Sequence, residues 1–245
     1  PDVLDDWIAS SRWSVTRIEL EPLSKDESMA LLEQVGDLPT WRIDEVVQAA
    51  GGHAFTLVEI SRLLAQMPDR GAAIPVELHG ILDVRLSALD DSTSAVLEVG
   101  SLLDEIDVSL VAEVLRTNVR DVARAVDAAA AVGLLRRGDD GRFVFGHQLI
   151  AEHTQRTLGR AVQEALHGEL ARAHAQRGHA VEAARHALSA NGALDHHERA
   201  DLLELGGRAA AEVGDLATAR TLLTAAAASA AADSDRRRID VALGS

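Results

Sequence analysis

Leu134-Leu135-Arg136-Arg137-Gly138-Asp139-Asp140-Gly141-Arg142-Phe143-Val144-Phe145 interrupts a chain whose periodicity is mainly helical. Two short runs flank a four-residue Gly/Asp turn, so the stretch reads as a two-stranded hairpin. Amphipathic helices precede it. Leu78, Ile81, Leu82, Val84, Leu86 and Leu89 mark one, and Asp91 or Ser92 caps another that runs to Leu103. Asp107 caps Val108–Leu115. Asn118 caps a helix with Val119, Val122, Val126 and Ala129 inward, which Gly133 ends. Three helices followed by a hairpin make a winged helix-turn-helix.

Upstream, Asp2–Ser10 reads as a short helix and Val15–Leu20 as a strand ended by Pro22. Ser24-Lys25-Asp26-Glu27 is a capping box, in which the Ser oxygen accepts an orphan amide and the Glu reaches back to the cap amide. The helix that follows turns Met29, Leu31, Leu32 and Val35 inward. Thr40 caps the next, with Ile43, Val46, Val47 and Ala50 inward, closed by Gly51-Gly52. A third spans Ala54 to Gln66. Two Pro and a Gly between Met67 and Pro75 mark a domain boundary.

Downstream of His147 the chain reads as helical to its end, and it repeats. Gly178, Ala183, Ala187 and Ala190 recur at Gly214, Ala219, Leu223 and Ala226, a spacing of 36. Gly in a turn and small residues at helix crossings resemble the tetratricopeptide pattern, which repeats about every 34 residues. The expected fold is mainly α. A helical lid occupies residues 1–70, a winged helix 71–160 and tetratricopeptide-like α-hairpin repeats 161–245.

Composition agrees. Three Trp, three Phe and no Tyr among 245 residues leave the core to Leu, Val, Ile and Ala, which suits close helix packing. No Cys means no disulfide framework, no thiol catalysis and no Cys-based zinc site, which fits a cytoplasmic protein. No apolar run approaches the roughly 18 residues of a membrane span. The missing initiator Met suggests a piece of a longer protein. The net charge is −15. Residues 1–70 hold 13 acids and 6 bases, 71–160 hold 14 and 9, and 161–245 hold 12 and 9. No segment offers the basic field that nucleic acid requires. Arg116, Arg120, Arg124, Arg136, Arg137 and Arg142 read as a solvated face paired with Asp121, Asp127, Asp139 and Asp140.

Catalytic motifs are missing. Lys25, the single lysine, follows Ser24, so no phosphate-binding G-x-x-x-x-G-K-[ST] loop exists, and neither G-x-G-x-x-G nor G-x-S-x-G occurs. The expectation is no enzyme activity in this chain. Ten His invite a metal reading. His167 and His174 are seven apart, as are His179 and His186, but no closed ligand set follows, so they read as surface or capping residues.

Three stretches carry a family resemblance. Arg17-Ile18-Glu19-Leu20-Glu21-Pro22-Leu23-Ser24-Lys25-Asp26-Glu27 resembles L-x-P-L-[ST]-x-x-E. Ala50-Gly51-Gly52-His53-Ala54-Phe55-Thr56-Leu57 resembles A-G-G-N-P-x-x-L. Gly133-Leu134-Leu135 through Phe145-Gly146-His147-Gln148-Leu149-Ile150 resembles G-L-L…F-R-H-x-L-[IV]. In this order they resemble the middle of STAND-class signalling ATPases, most of all the large ATP-binding regulators of the LuxR family. The resemblance implies an upstream P-loop domain that binds ATP or ADP, a downstream DNA-binding domain, and repeats that sense a protein or small-molecule effector. It implies no cofactor within this chain, while the acidic charge and the lack of a long apolar run argue against direct contact with nucleic acid or membrane. Gly51, Gly52 and His53 stand where the family's lid meets adenine, with His53-Ala54 in place of Asn-Pro; the other reading is a plain helix C-cap. His147 matches a His that reaches the β-phosphate of ADP, with Gly146 and Gln148 in place of Met and Asp. Its other reading is an N-cap or core-edge His at the strand-to-helix junction. Outside this family, the repeats read as a protein-interaction scaffold.

Overall fold

The computed structural model describes residues 20–35, 40–66, 78–138 and 141–229. The expected helix Asp2–Ser10, the strand Val15–Leu20 apart from Leu20, the boundary Met67–Pro75, the turn residues Asp139 and Asp140, and everything beyond residue 229 lie outside them. The chain divides into two compact units between Ile81 and Leu82.

The first unit holds α1 (Lys25–Val35), α2 (Thr40–Ala50) and α3 (Ala54–Gln66), which pack pairwise. The capping box starts α1 as its sequence dictates. Ser24 N and Oγ both donate to Glu27 Oε2, at 2.8 and 2.7 Å, and Glu27 N donates to Ser24 Oγ at 3.3 Å. Leu32, Val46, Ala50, Leu57, Ile60 and Leu63 form the core, one face from each helix.

The second unit begins in α4 (Leu78–Ser87), which ends two residues short of the expected Leu89. It continues through α5 (Asp91–Gly100), α6 (Val108–Val114), α7 (Val119–Ala131), β1 (Leu135–Arg137), β2 (Phe143–Phe145) and α8 (Gln148–Thr157). Asp90, rather than Asp91 or Ser92, caps α5 by accepting from Thr93 N at 2.9 Å. Asp90-Asp91-Ser92 are three cap-competent residues in a row, and position alone selects the first. Asp107 and Asn118 cap α6 and α7 as expected. Val119 does not turn inward; it is 51% exposed in the first turn of α7, while Val122, Ala125, Val126 and Ala129 are buried.

β1 and β2 pair antiparallel in the register Leu135↔Phe145, Arg136↔Val144 and Arg137↔Phe143. Ile106 adds a bridge on the other side of Phe143, its N donating to Phe143 O at 2.7 Å. The hairpin thereby fixes the loop between α5 and α6.

Two helical hairpins complete the described chain: α9 (Arg160–Gln176) with α10 (Ala180–Ser189), and α11 (His196–Glu212) with α12 (Leu216–Ser229). The 36-residue repeat extends to backbone geometry. Gly178 and Gly214 sit at φ +79° and +82°. His179 N donates to His174 O, and Asp215 N to Ala210 O, both at 2.9 Å. Ala183, Ala187 and Ala190 and their counterparts Ala219, Leu223 and Ala226 are all buried. Helix α11 lies between α10 and α12. A Cβ at Gly206 would fall on Ala184 Cβ and lie 2.7 Å from Ala180 O, and one at Gly207 would lie 2.7 Å from Leu223 Cγ. Adjacent glycines thus let one helix approach two neighbours.

α9 is tied to the preceding helices by arginines. Arg177 reaches Glu113 Oε2 at 3.0 Å, Ser109 Oγ at 3.2 Å and Asp107 Oδ2 at 3.5 Å, and Arg116 reaches Glu169 at 3.2 Å. Among the described residues no helix is long and apolar enough to cross a membrane.

Candidate functional site

The Gly51-Gly52 turn ends α2, with φ +55° and +80°. His53 N donates to Ala50 O, and His53 O accepts from Leu57 N, both at 3.0 Å, so the turn passes directly from one helix into the next. The turn also holds the chain that enters α1. Leu23 N donates to Gly52 O at 2.8 Å, and a Cβ at Gly52 would lie 2.5 Å from Leu23 O and 2.9 Å from Pro22 Cβ. Only glycine fits both the positive φ and this approach. The Pro22-Leu23-Ser24 and Gly51-Gly52 stretches, picked out separately in the sequence, are therefore one structural feature. The imidazole of His53 is exposed at its edge.

His147 is the N-cap of α8. Its backbone is extended (φ −151°, ψ 146°), and its Nδ1 accepts from Leu149 N at 3.2 Å. The neutral ring therefore carries its proton on Nε2. Just before it, Gly146 N donates to Leu134 O at 2.8 Å, closing the Gly133-Leu134 to Gly146-His147 stretch upon itself. The capping reading of His147 is thus shown, and capping leaves the ring exposed. Gly51–His53 and His147 belong to different units, and each is placed within its own.

Four arginines of the helix–hairpin region are engaged within the chain. Arg124 pairs with Asp121 at 3.3 Å, Arg142 with Glu105 at 2.6 Å and Arg116 with Glu169 at 3.2 Å, while Arg137 lies 5.0 Å from the Phe143 ring centroid. Asp121 was an expected partner; Glu105 and Glu169 were not, because the hairpin and α9 supply them from distant sequence.

The histidine expectation needs correction. His179 stands exposed at the N-cap of α10, as expected, but His167, His174 and His186 come together in a partly buried cluster. His167 Nδ1 and His186 Nδ1 are 2.9 Å apart, the His174 and His186 rings stack at 5.4 Å and 11°, and His174 meets His179 at 5.7 Å. His174 is only 8% exposed. Burial holds His167 and His174 below the ordinary imidazole range. It pushes His186 down to about 3, with help from the two neighbouring imidazoles. His167, His174 and His186 are therefore neutral at physiological pH. Its signal was present in the sequence: 167 and 186, like 174 and 179, are equally distant from the middle of the turn, so an antiparallel hairpin must bring each pair together. The rings line a cavity of about 680 Å³ with Leu102–Glu105, Arg142 and Arg177. Among the described residues no group of three or more His, Asp or Glu is arranged to hold a metal ion.

No family model matches the chain, and no curated protein matches it. Among solved structures it is similar to a Signal Transduction ATPase with Numerous Domains (STAND) protein with a tetratricopeptide repeat sensor from Pyrococcus horikoshii. The TM-score is 0.63 at 11% identity, over 94% of this chain and 34% of that one. The likeness is one of fold. It covers the helical units and the helical hairpins alike, and the chain spans about a third of that protein's length.

Proposed function

We propose that the chain is the regulatory part of a STAND-type nucleotide switch, of the LuxR class of transcriptional regulators. It joins a lid, a winged helix and a tetratricopeptide-like sensor, and carries no catalysis of its own. ATP or ADP would be held by an upstream P-loop domain, and DNA would be read by a downstream domain, in the cytoplasm. The observation that carries this reading is the fold likeness to a STAND protein with a repeat sensor over nearly the whole chain.

Several features support it. The order α5, α6, α7, β1, β2, with Ile106 bridging to the hairpin, supports the winged-helix reading. The solvent face of α7, where a DNA reader would carry its cations, alternates Arg120 and Arg124 with Asp121 and Asp127, and Arg124 is paired with Asp121. This favours an internal role over groove contact. The Gly51-Gly52 turn is rigidly held against Pro22-Leu23, which suits a lid edge that must present fixed backbone to a planar ligand. His147, with its ring proton on Nε2, suits a phosphate oxygen.

The reading frame that encodes the chain tests this first. A Walker A motif within about 250 residues upstream, the span of one ATPase domain, is expected. A frame without one contradicts the proposal.

A further inference from the structure

Within the second unit, the two helical hairpins are joined by the short 3-10 turn Asn191–Ala193, which contains the pair Asn191-Gly192. We propose that this pair is a site of spontaneous covalent modification: Asn191 deamidates to aspartate and isoaspartate, and the change loosens the turn from α9.

Asparagine is among the thermolabile residues, and its reaction needs an unhindered backbone nitrogen on the next residue. Gly192 N attacks Asn191 Cγ, and the new C–N bond closes a succinimide ring. The Cγ–Nδ2 bond breaks, and ammonia leaves with the proton that Gly192 N gives up. Water then opens the imide at either carbonyl. One opening gives aspartate, and the other gives isoaspartate, whose main chain runs through the former side chain. The structure meets these needs. Asn191 and Gly192 are both exposed, so water reaches them. Gly192 N makes no backbone hydrogen bond among the described residues, and a Cβ on Gly192 would meet nothing within 4 Å. Asn191 stands at φ +37°, a strained conformation that the extra main-chain carbon of isoaspartate relieves. Asn118, the chain's other asparagine, is the contrast. The β-branched Val119 follows it and crowds the nitrogen, and its side chain is held as the cap of α7, accepting from Arg120 N at 2.8 Å.

The consequence follows from what the turn touches. Asn191 Nδ2 donates to Glu164 Oε1 of α9 at 3.0 Å, and Arg160 Nε donates to the same oxygen at 2.8 Å. These two bonds hold the Glu164 carboxyl below its ordinary range, so it is an anion. Deamidation replaces the donor facing it with a second carboxylate. Two residues on, Ala193 Cβ lies 3.1 Å from where a Cβ of Gly168 would be, and Ala193 O accepts from Arg172 at 3.2 Å. The longer main chain of isoaspartate shifts Ala193 out of both contacts with α9.

The test incubates the folded chain in mildly alkaline and mildly acidic buffer and follows peptide masses, isoaspartate content and thermal melting. The Asn191 peptide is expected to gain the mass of an amide-to-acid exchange, faster in alkaline buffer because the attacking nitrogen must lose its proton. The Asn118 peptide is expected to stay unchanged. Asp140-Gly141 can isomerise without a change in mass, so the mass reads Asn191 alone. Gly192→Ala, whose Cβ falls in open space and whose φ is not positive, is expected to melt like the wild type and to lose the modification. Asn191→Asp is expected to melt at a lower temperature, and Glu164→Gln to restore part of the loss by supplying a donor to the new carboxylate. An Asn191 peptide that stays unmodified, or a Gly192→Ala chain modified at the wild-type rate, would overturn the site. Wild-type melting in both Asn191→Asp and the aged chain would overturn the loosening.

Discussion

Gly52 shows how one residue fixes a local fold. Its φ of +80° and the 2.5 Å gap from a would-be Cβ to Leu23 O act together, so Gly52→Ala is expected to destabilise the first unit by roughly 2–3 kcal/mol. At Gly51 a Cβ would meet nothing nearer than His53 Cδ2 at 4.0 Å, so Gly51→Ala is expected to cost only about 1 kcal/mol of conformational strain. Urea unfolding of the two variants checks the ranking; equal losses would show that the contact with Leu23 is unimportant. Residue-scale signals were the most legible in the sequence. The Ser24–Glu27 box and the caps Asp107 and Asn118 were readable because capping is decided within four residues. The grip of Gly52 on Leu23 was not, because nothing in either stretch names its partner 29 positions away.

At the scale of elements, α11 serves two neighbours through adjacent glycines. Gly206→Ala would drive a methyl onto Ala184 Cβ and the Ala180 carbonyl, which move only if the helices part. A loss of about 2–3 kcal/mol is expected despite the better helix propensity of Ala. Gly207→Ala meets chiefly the Leu223 side chain, which can re-orient, and should cost clearly less. Calorimetric melting decides between them. The first hairpin also carries a pH signature. His167, His174 and His186 have folded pKa values below their unfolded ones, so the unfolded chain binds more protons as pH falls below about 6.5. Their contribution is complete above that pH and is lost on acidification, at up to about 1.4 kcal/mol per pH unit for each neutral ring. Stability measured from pH 7 to 5 should therefore fall, and His186→Leu should flatten the slope; a slope unchanged in that variant would contradict the assignment. The 36-residue repeat was legible because Gly turns and small crossing residues recur in register. The histidine cluster is not legible from spacing along one helix, because its rings meet across the turn.

For the whole molecule, composition and periodicity were enough to reach a mainly α chain ending in helical hairpins. Few aromatics leave small side chains to set helix spacing, and helix spacing sets the architecture. The pairing of arginines with Glu105 and Glu169 was not legible, since it depends on which distant elements the fold brings together. The −15 charge gains meaning beside that pairing: Arg116, Arg124 and Arg142 of the helix–hairpin region are taken by the chain's own carboxylates. If the chain latches a nucleotide held by an upstream domain, as proposed, His147 is the residue whose loss should show it most sharply. His147→Asn preserves an N-cap while removing the imidazole, so it separates capping from nucleotide contact. The deciding measurement is the nucleotide content and ADP release rate of the protein encoded by the full reading frame, wild type against His147→Asn. Retained ADP in the wild type, with at least about tenfold faster release in the variant, is expected from the loss of a hydrogen bond to a charged group. A wild-type protein that holds no nucleotide, or a variant that releases ADP at the wild-type rate, would contradict the account.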